Sequence, residues 1–223
     1  MLDKKNFYIN GEWVSPIEPR NFKVIDPSNE EVCAEISLGG KKDIDKAVSS
    51  AKKAFNSWAY SSKEERLDLL EKLYVVYKKR WAEMAKLITL EMGAPMKFST
   101  EMQAATGASH IKSFKNILKD FKFERDLGEE KNNQKLLYEP KGVCALITPW
   151  NWPINQVNLK VIPALASACT VVLKPSEIAP LSSMLLAEMI DEVKFPAGVF
   201  NLVNGDGEIT GDALTSHPDI DMI

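Results

Sequence analysis

The chain has 223 residues, 45% hydrophobic and 26% charged, which is enough apolar material for a large buried core and excludes the disordered and fibrous classes. Its net charge of -3 is a mixture of both signs along the chain, with no basic stripe for nucleic acid and no polybasic amphipathic run for a membrane surface. No apolar run is long enough to span a bilayer, no signal peptide is expected behind Met1, and three scattered cysteines (Cys33, Cys144, Cys169) point to a reducing cytoplasm rather than a disulfide framework.

The first 40 residues read as strands and turns. Asn10-Gly11 lies between two apolar runs within Phe7 to Val14, a strong hairpin signal. Asn21 to Ile25 alternates and then breaks at Asp26-Pro27-Ser28-Asn29. From Lys42 to about Lys119 the period is helical. Ile44, Ala47, Val48, Ala51, Phe55 and Trp58 share one face. Ser62-Lys-Glu-Glu65 is a capping box opening a helix with Leu67, Leu70 and Tyr74 on one side. A further helix ends at Gly93 with Pro95 beyond it, and another runs from about Glu101 to Lys119. Core packing accounts for all of these faces. Residues 121–139 read as two short strand-like runs around a polar turn, an arm extending from the body.

After Pro140 a repeated unit begins. Val143 to Ile147, Thr170 to Leu173 and Val199 to Val203 are continuously apolar, as parallel strands covered on both faces should be. Helices follow from Pro153 to about Ala168 and from Pro180 to about Val193, then a glycine-rich turn and helix from Gly205 to Thr215. Ile220 to Ile223 starts a fourth strand. The expected fold is α/β: an open, mostly parallel, doubly wound sheet with helices on both faces, preceded by N-terminal strands and helices and carrying a β-hairpin arm. The expected parts are residues 1–120, an N-terminal part of strands and helices; 121–139, the arm; and 140–223, the βα units. Because the chain stops inside an apolar segment with no polar tail, it is expected to be a truncation.

Ligands bind parallel α/β sheets at the carboxyl ends of the strands. Three loops leave those ends. Gly205-Asp-Gly207-Glu-Ile-Thr-Gly211 lets backbone approach a phosphate and opens a helix with free N–H groups, but its spacing departs from the dinucleotide fingerprint, and a plain glycine turn explains it equally well. Lys174-Pro-Ser-Glu177 offers a cation for phosphate or ribose oxygens and a carboxylate for ribose hydroxyls, or else is a charged surface loop. In Thr148-Pro-Trp-Asn-Trp-Pro153, Asn151 suits an oxyanion donor or a helix cap. With His110 and His217 as the only histidines, there is little material for a zinc site or a Ser-His-Asp triad, and no metal is expected.

Taken together, Pro149 to Pro153, Pro163 to Ala166, Val171 to Glu177, Pro196 to Val203, Gly205-Asp-Gly207 and His217-Pro218 resemble the aldehyde dehydrogenase superfamily in order and spacing. Phe7 to Trp13, Asp26-Pro27 and Leu90 to Gly93 extend the resemblance over the whole chain. It implies oxidation of a small-molecule aldehyde with NAD, or with NADP, through a cysteine thiohemiacetal and a glutamate general base. It assigns Asn151 as the catalytic oxyanion donor. Ile147, Thr148, Pro149 and Trp150 become the lining of the cofactor cleft, Lys174, Ser176 and Glu177 the contacts on the adenosine-ribose side, and Gly207 and Gly211 the approach for adenine and pyrophosphate. Lys160 becomes a support for the active site. The 121–139 arm implies a homo-oligomer when the protein is intact.

The resemblance also implies that the nucleophilic cysteine and the glutamate base are missing here, since none of the three cysteines stands in a matching context. The alternative is therefore a non-catalytic nucleotide-binding fragment or a partner subunit. Glu177 favours the free 2′-hydroxyl of NAD over a 2′-phosphate. Tyr74-Val-Val-Tyr-Lys78 matches the Tyr-x-x-x-Lys pair of short-chain dehydrogenases, but residues 1–38 contain only Gly11 and no glycine-rich fingerprint, so coincidence is the better account.

Overall fold

The computed structural model describes residues 1–128 and 134–223. A short strand, β1 (Leu2–Lys4), leads into β2 (Phe7–Ile9) and β3 (Glu12–Val14). The last two form the expected hairpin. Asn10 and Gly11 take φ of 57° and 79°, the mirror-image turn whose twist matches the flanking strands. β4 (Asn21–Asp26) pairs antiparallel with β5 (Glu31–Ser37), and β1 adds parallel to β5 in a three-stranded sheet.

The helical region follows. α1 (Lys41–Trp58) buries Ile44, Ala47, Val48, Ala51 and Trp58, while Phe55 stays half-buried. The Asp43 side chain closes its first turn, accepting from Gly40 N at 3.0 Å and Ile17 N at 2.9 Å. α2 (Lys63–Lys79) opens on Ser62 Oγ, which accepts from Glu65 N at 3.0 Å; the return bond of the expected capping box is absent among the described residues. Its deep face is Leu69, Leu70, Leu73 and Tyr77, so Leu67 and Tyr74 lie half-buried beside it. Lys78 stacks 4.7 Å over the Tyr74 ring, a cation–π pair on the outside of a helix, which disposes of a Tyr–Lys catalytic pair. α3 (Trp81–Met92) stops at Gly93, whose φ of 75° is the left-handed cap expected there. α4 (Met96–Phe98) passes through a π turn (Ser99–Gln103) into α5 (Ala104–Asp120), so this helix begins before Glu101.

β6 (Glu124–Asp126) and β7 (Lys135–Leu137) pair antiparallel, as the arm reading expected; the tip of that arm, 129–133, lies outside the described residues. Strand and helix then alternate: β8 (Val143–Ile147), α6 (Pro153–Ala166), β9 (Thr170–Lys174), α7 (Leu181–Val193), β10 (Phe200–Leu202), a π turn (Gly207–Gly211) and α8 (Asp212–Thr215). β8, β9 and β10 are parallel neighbours, and β2 joins the far edge of β10 antiparallel, giving the order β3-β2-β10-β9-β8. Beyond β8, Met222 bridges to Cys144 in parallel, and Ala145 N donates to Met222 O at 2.8 Å. The N-terminal hairpin thus belongs to the same sheet as the βα units. Asn201, fully buried on β10, fastens it by accepting from Asn10 N at 3.0 Å while donating to the Val171 and Gly198 carbonyls.

Both faces of the sheet are covered, which explains the unbroken apolar runs. Val143, Ala145, Val172 and Val203 point to α1 and α8. Cys144, Leu146, Val171, Leu173, Phe200 and Leu202 point to the larger core under α6 and α7, with α2 and α5 outside them. The outer layer meets the inner one closely at Gly107. A Cβ built there lies 2.4 Å from Tyr77 Oη, which donates to Ala104 O at 2.9 Å. Gly107→Ala is therefore expected to cost about 1–3 kcal/mol by overpacking. Adding Tyr77→Phe should return part of that loss, seen as coupling in a urea double-mutant cycle, and strict additivity would count against the contact.

Candidate functional site

The carboxyl ends of β8, β9 and β10 converge on one open cleft of about 600 Å³. Ile147, Lys174, Gly207 and Gly211 line it together with Glu208, Asp212 and Thr215. Four residues singled out in three separate stretches of sequence thus meet at one place, through the parallel register that sets Ile147 beside Lys174.

Lys174 is the best-held charge in the site. Its side chain is only 5% exposed. Its ammonium donates to Gly205 O at 2.7 Å and Pro175 O at 3.1 Å and lies 3.7 Å from the Glu177 carboxylate. Burial depresses its pKa, and Glu177 and Asp206 oppose that shift. The same lysine therefore ties the β9 loop to the glycine turn after β10. Ser176 is buried, and its hydroxyl accepts from Ile178 N at 3.3 Å, so it shapes the loop. Thr148 is buried as well, its N–H reaching Lys174 O at 3.3 Å.

The rest of the first loop stands apart. Pro149, Trp150 and Asn151 are exposed and are not among the residues lining this cleft. Asn151 does not cap the next helix: Trp152 holds that position, Pro153 follows it, and no side chain caps the turn. The Asn151 amide makes no hydrogen bond among the described residues. Trp152 packs edge-on against Phe98 at 5.5 Å, and His110 pairs with Asn155 at 2.7 Å, so α4 and α5 do flank this loop. The Lys160 ammonium lies 3.2 Å from Gln156 Oε1.

The glycine turn departs from the expectation of free N–H groups. Asp206 precedes it, and its carboxylate accepts from Ile209 N at 3.0 Å and Thr210 N at 3.1 Å. Burial works against ionising Asp206, but those N–H groups and Arg20, 2.9 Å away, outweigh it and hold the carboxyl below its ordinary range. Arg20 also donates to Gly39 O at 2.7 Å, bracing the turn against the loop before α1. Asp206 was legible as a helix cap; Arg20 carries no local signal and arrives only through the tertiary fold. Glu208 and Asp212 add negative charge to the rim of this end of the cleft.

The backbone leaves open space at one of the two glycines of this turn. A Cβ at Gly207 would meet nothing within 4 Å, whereas one at Gly205 would fall 2.0 Å from Thr210 Oγ1. Gly205 is thus required by packing, and Gly207 keeps the cleft clear. No group of three potential metal ligands occurs among the described residues, and no helix among them is long and apolar enough to cross a membrane.

Residues 13–223 match the sequence profile of the Aldehyde dehydrogenase family. The chain is 48% identical to a 3-succinoylsemialdehyde-pyridine dehydrogenase of a Pseudomonas species, over all of this chain and 46% of that protein. Its fold is similar to a crystal structure of an aldehyde dehydrogenase from Bartonella henselae, with a TM-score of 0.97 and 56% identity over all of this chain and 47% of that one. It is also similar to aldehyde dehydrogenase C of Pseudomonas syringae, a mutant complexed with NAD+ and octanal, with a TM-score of 0.95 and 43% identity over 98% of this chain and 44% of that one. The chain thus spans just under half the length of the relatives it matches.

Proposed function

The chain belongs to the aldehyde dehydrogenase family, and from that premise we propose that it carries the nucleotide-binding portion of an enzyme that oxidises a small-molecule aldehyde to a carboxylic acid with NAD. One arrangement supports this most directly. Buried Lys174, with Glu177 at 3.7 Å, stands at the strand ends beside a glycine whose missing side chain keeps the cleft open. Glu177 accepts from the adenosine-ribose hydroxyls, and Lys174 and Ser176 shape and charge that side of the site. Gly207 and Gly211 admit the adenosine end, and Ile147, Thr148, Pro149 and Trp150 continue the binding surface along the first loop. When bound, NAD supplies the hydride acceptor.

Asn151 presents its amide N–H to the oxyanion that develops when a thiolate attacks the aldehyde carbon. That thiolate and the general base come from outside these 223 residues. Cys144 and Cys169 lie toward the amino ends of β8 and β9, away from the cleft, and Cys33 is in the other sheet on β5. This placement favours a second reading for the chain by itself: a nucleotide-binding fragment, or a subunit completed by a chain that bears the reactive cysteine. The β6–β7 arm, whose Leu137 and Tyr138 are exposed, pairs subunits in a homo-oligomer.

Calorimetric titration of the 223-residue chain is expected to give a tighter complex with NAD than with NADP, because Glu177 repels a 2′-phosphate. Glu177→Gln should narrow that gap. No NADH should form on adding aldehyde to the chain alone. Absence of NAD binding would sink the nucleotide reading, tighter binding of NADP would sink the preference assigned to Glu177, and aldehyde-dependent turnover would sink the assignment of the nucleophile.

A further inference from the structure

At the opposite end of the strands from the cleft, two thiols meet. Cys144 is the second residue of β8, and Cys169 sits in the turn between α6 and β9, just ahead of Thr170. Cys144 lies opposite Val171, and Cys169 precedes Val171 by two residues, so the two side chains fall on one face of the sheet. They are 2% and 4% exposed. The Cys169 sulfur accepts from the Ser167 hydroxyl at 3.5 Å.

The contact with Cys144 is the main cause that brings Cys169 down to about 5, and the same contact, with burial, pushes Cys144 up. The pair is not sealed from solvent. Both cysteines line a groove of about 490 Å³ between β8 and α6, walled by Leu159, Pro163, Ala164 and Met222.

We infer that Cys144 and Cys169 form a dithiol site for a thiophilic centre that bonds two sulfurs at once, of the class of monosubstituted trivalent arsenicals. Such a centre needs two adjoining thiols and no further ligand, whereas a structural zinc site needs four ligands. Unlike a disulfide, it does not require the two sulfurs to close to direct bonding distance. In the reaction, the hydrated arsenical loses two As–O bonds and gains two As–S bonds. The Cys169 thiolate displaces one hydroxyl as hydroxide. The Cys144 thiol displaces the other, and its proton leaves with that hydroxyl as water. Arsenic remains trivalent throughout. The product joins β8 covalently to the turn before β9, across two strands already paired. Cys33, on β5, takes no part, and burial pushes its thiol up.

The probe is phenylarsine oxide, added in equimolar amount to the 223-residue chain and read by intact mass and peptide mapping. One adduct is expected, linking the peptides of Cys144 and Cys169 and removed by excess dimercaptopropanol. Cys144→Ser and Cys169→Ser should each lose it, and Cys33→Ser should keep it. Circular dichroism checks that the variants fold; should they not, the wild-type peptide map decides alone. No adduct on the wild type, an adduct that involves Cys33, or one that survives both single substitutions would overturn the proposal.

Discussion

Gly207→Leu is expected to leave the fold intact and to weaken NAD binding by at least about 100-fold, close to 3 kcal/mol at 1.4 kcal/mol per tenfold change. Two features separate the effects. Gly207 does not occupy the positive-φ region, and a Cβ placed there meets no atom within 4 Å, so a larger side chain strains nothing in the protein. The new side chain has to project into the space that the proposed nucleotide uses, because Gly207 lines the cleft with Ile147 and Lys174. Thermal unfolding should shift by no more than a few degrees, while calorimetry should show no complex at concentrations that saturate the wild type. Gly205→Ala makes the contrast. Its Cβ falls 2.0 Å from Thr210 Oγ1 and 2.2 Å from Thr210 Cβ, so that change should lower stability first. Unimpaired NAD binding by folded Gly207→Leu would remove the cleft from the nucleotide site.

How far the sequence led can be judged at particular residues. Local rules sufficed where the cause is local. Asn10-Gly11 can only be a mirror-image turn, Gly93 a left-handed cap, and Val143 to Ile147 a strand covered on both faces. The meeting of Ile147, Lys174, Gly207 and Gly211 was also within reach, since parallel strands bring their carboxyl-end loops to one side. Three matters were not legible, two of them because a partner distant in sequence decides them. Joining the Phe7–Ile9 strand to β10 needs Asn201, nearly the whole chain away. The glycine turn looked like an anion site, but Asp206 already takes its N–H groups and Arg20 holds Asp206 in place. Asn151 looked like a helix cap, but the turn starts one residue later, at Trp152. In the case of the glycine turn, tertiary contacts determined how a local pattern is used.

Glu91 is the largest such case, and Glu91→Ala is expected to destabilise the chain by about 2–5 kcal/mol. Pro180, at the start of α7, offers no side-chain cap. Instead the carboxylate of Glu91, 1% exposed at the end of α3, accepts from Leu181 N, and from Ser182 N at 3.1 Å. Alanine would leave both N–H groups buried without partners, just after the loop that carries Lys174 and Glu177. The same burial makes this cap depend on pH. Desolvation pushes Glu91 up to about 7, against the downward pull of the α7 donors. Its folded pKa therefore lies above its unfolded value of about 4.3, so the folded state holds the extra proton between the two. Stability from this group is full below about pH 4.3 and is lost as pH rises through about 7, a change of up to about 4 kcal/mol. Glu91→Gln keeps one acceptor and cannot titrate. Its deficit relative to wild type, measured by urea unfolding, should be larger at pH 5 than at pH 8. A deficit that stays constant across that range would show that Glu91 is ionised throughout, and that the α7 donors outweigh its burial.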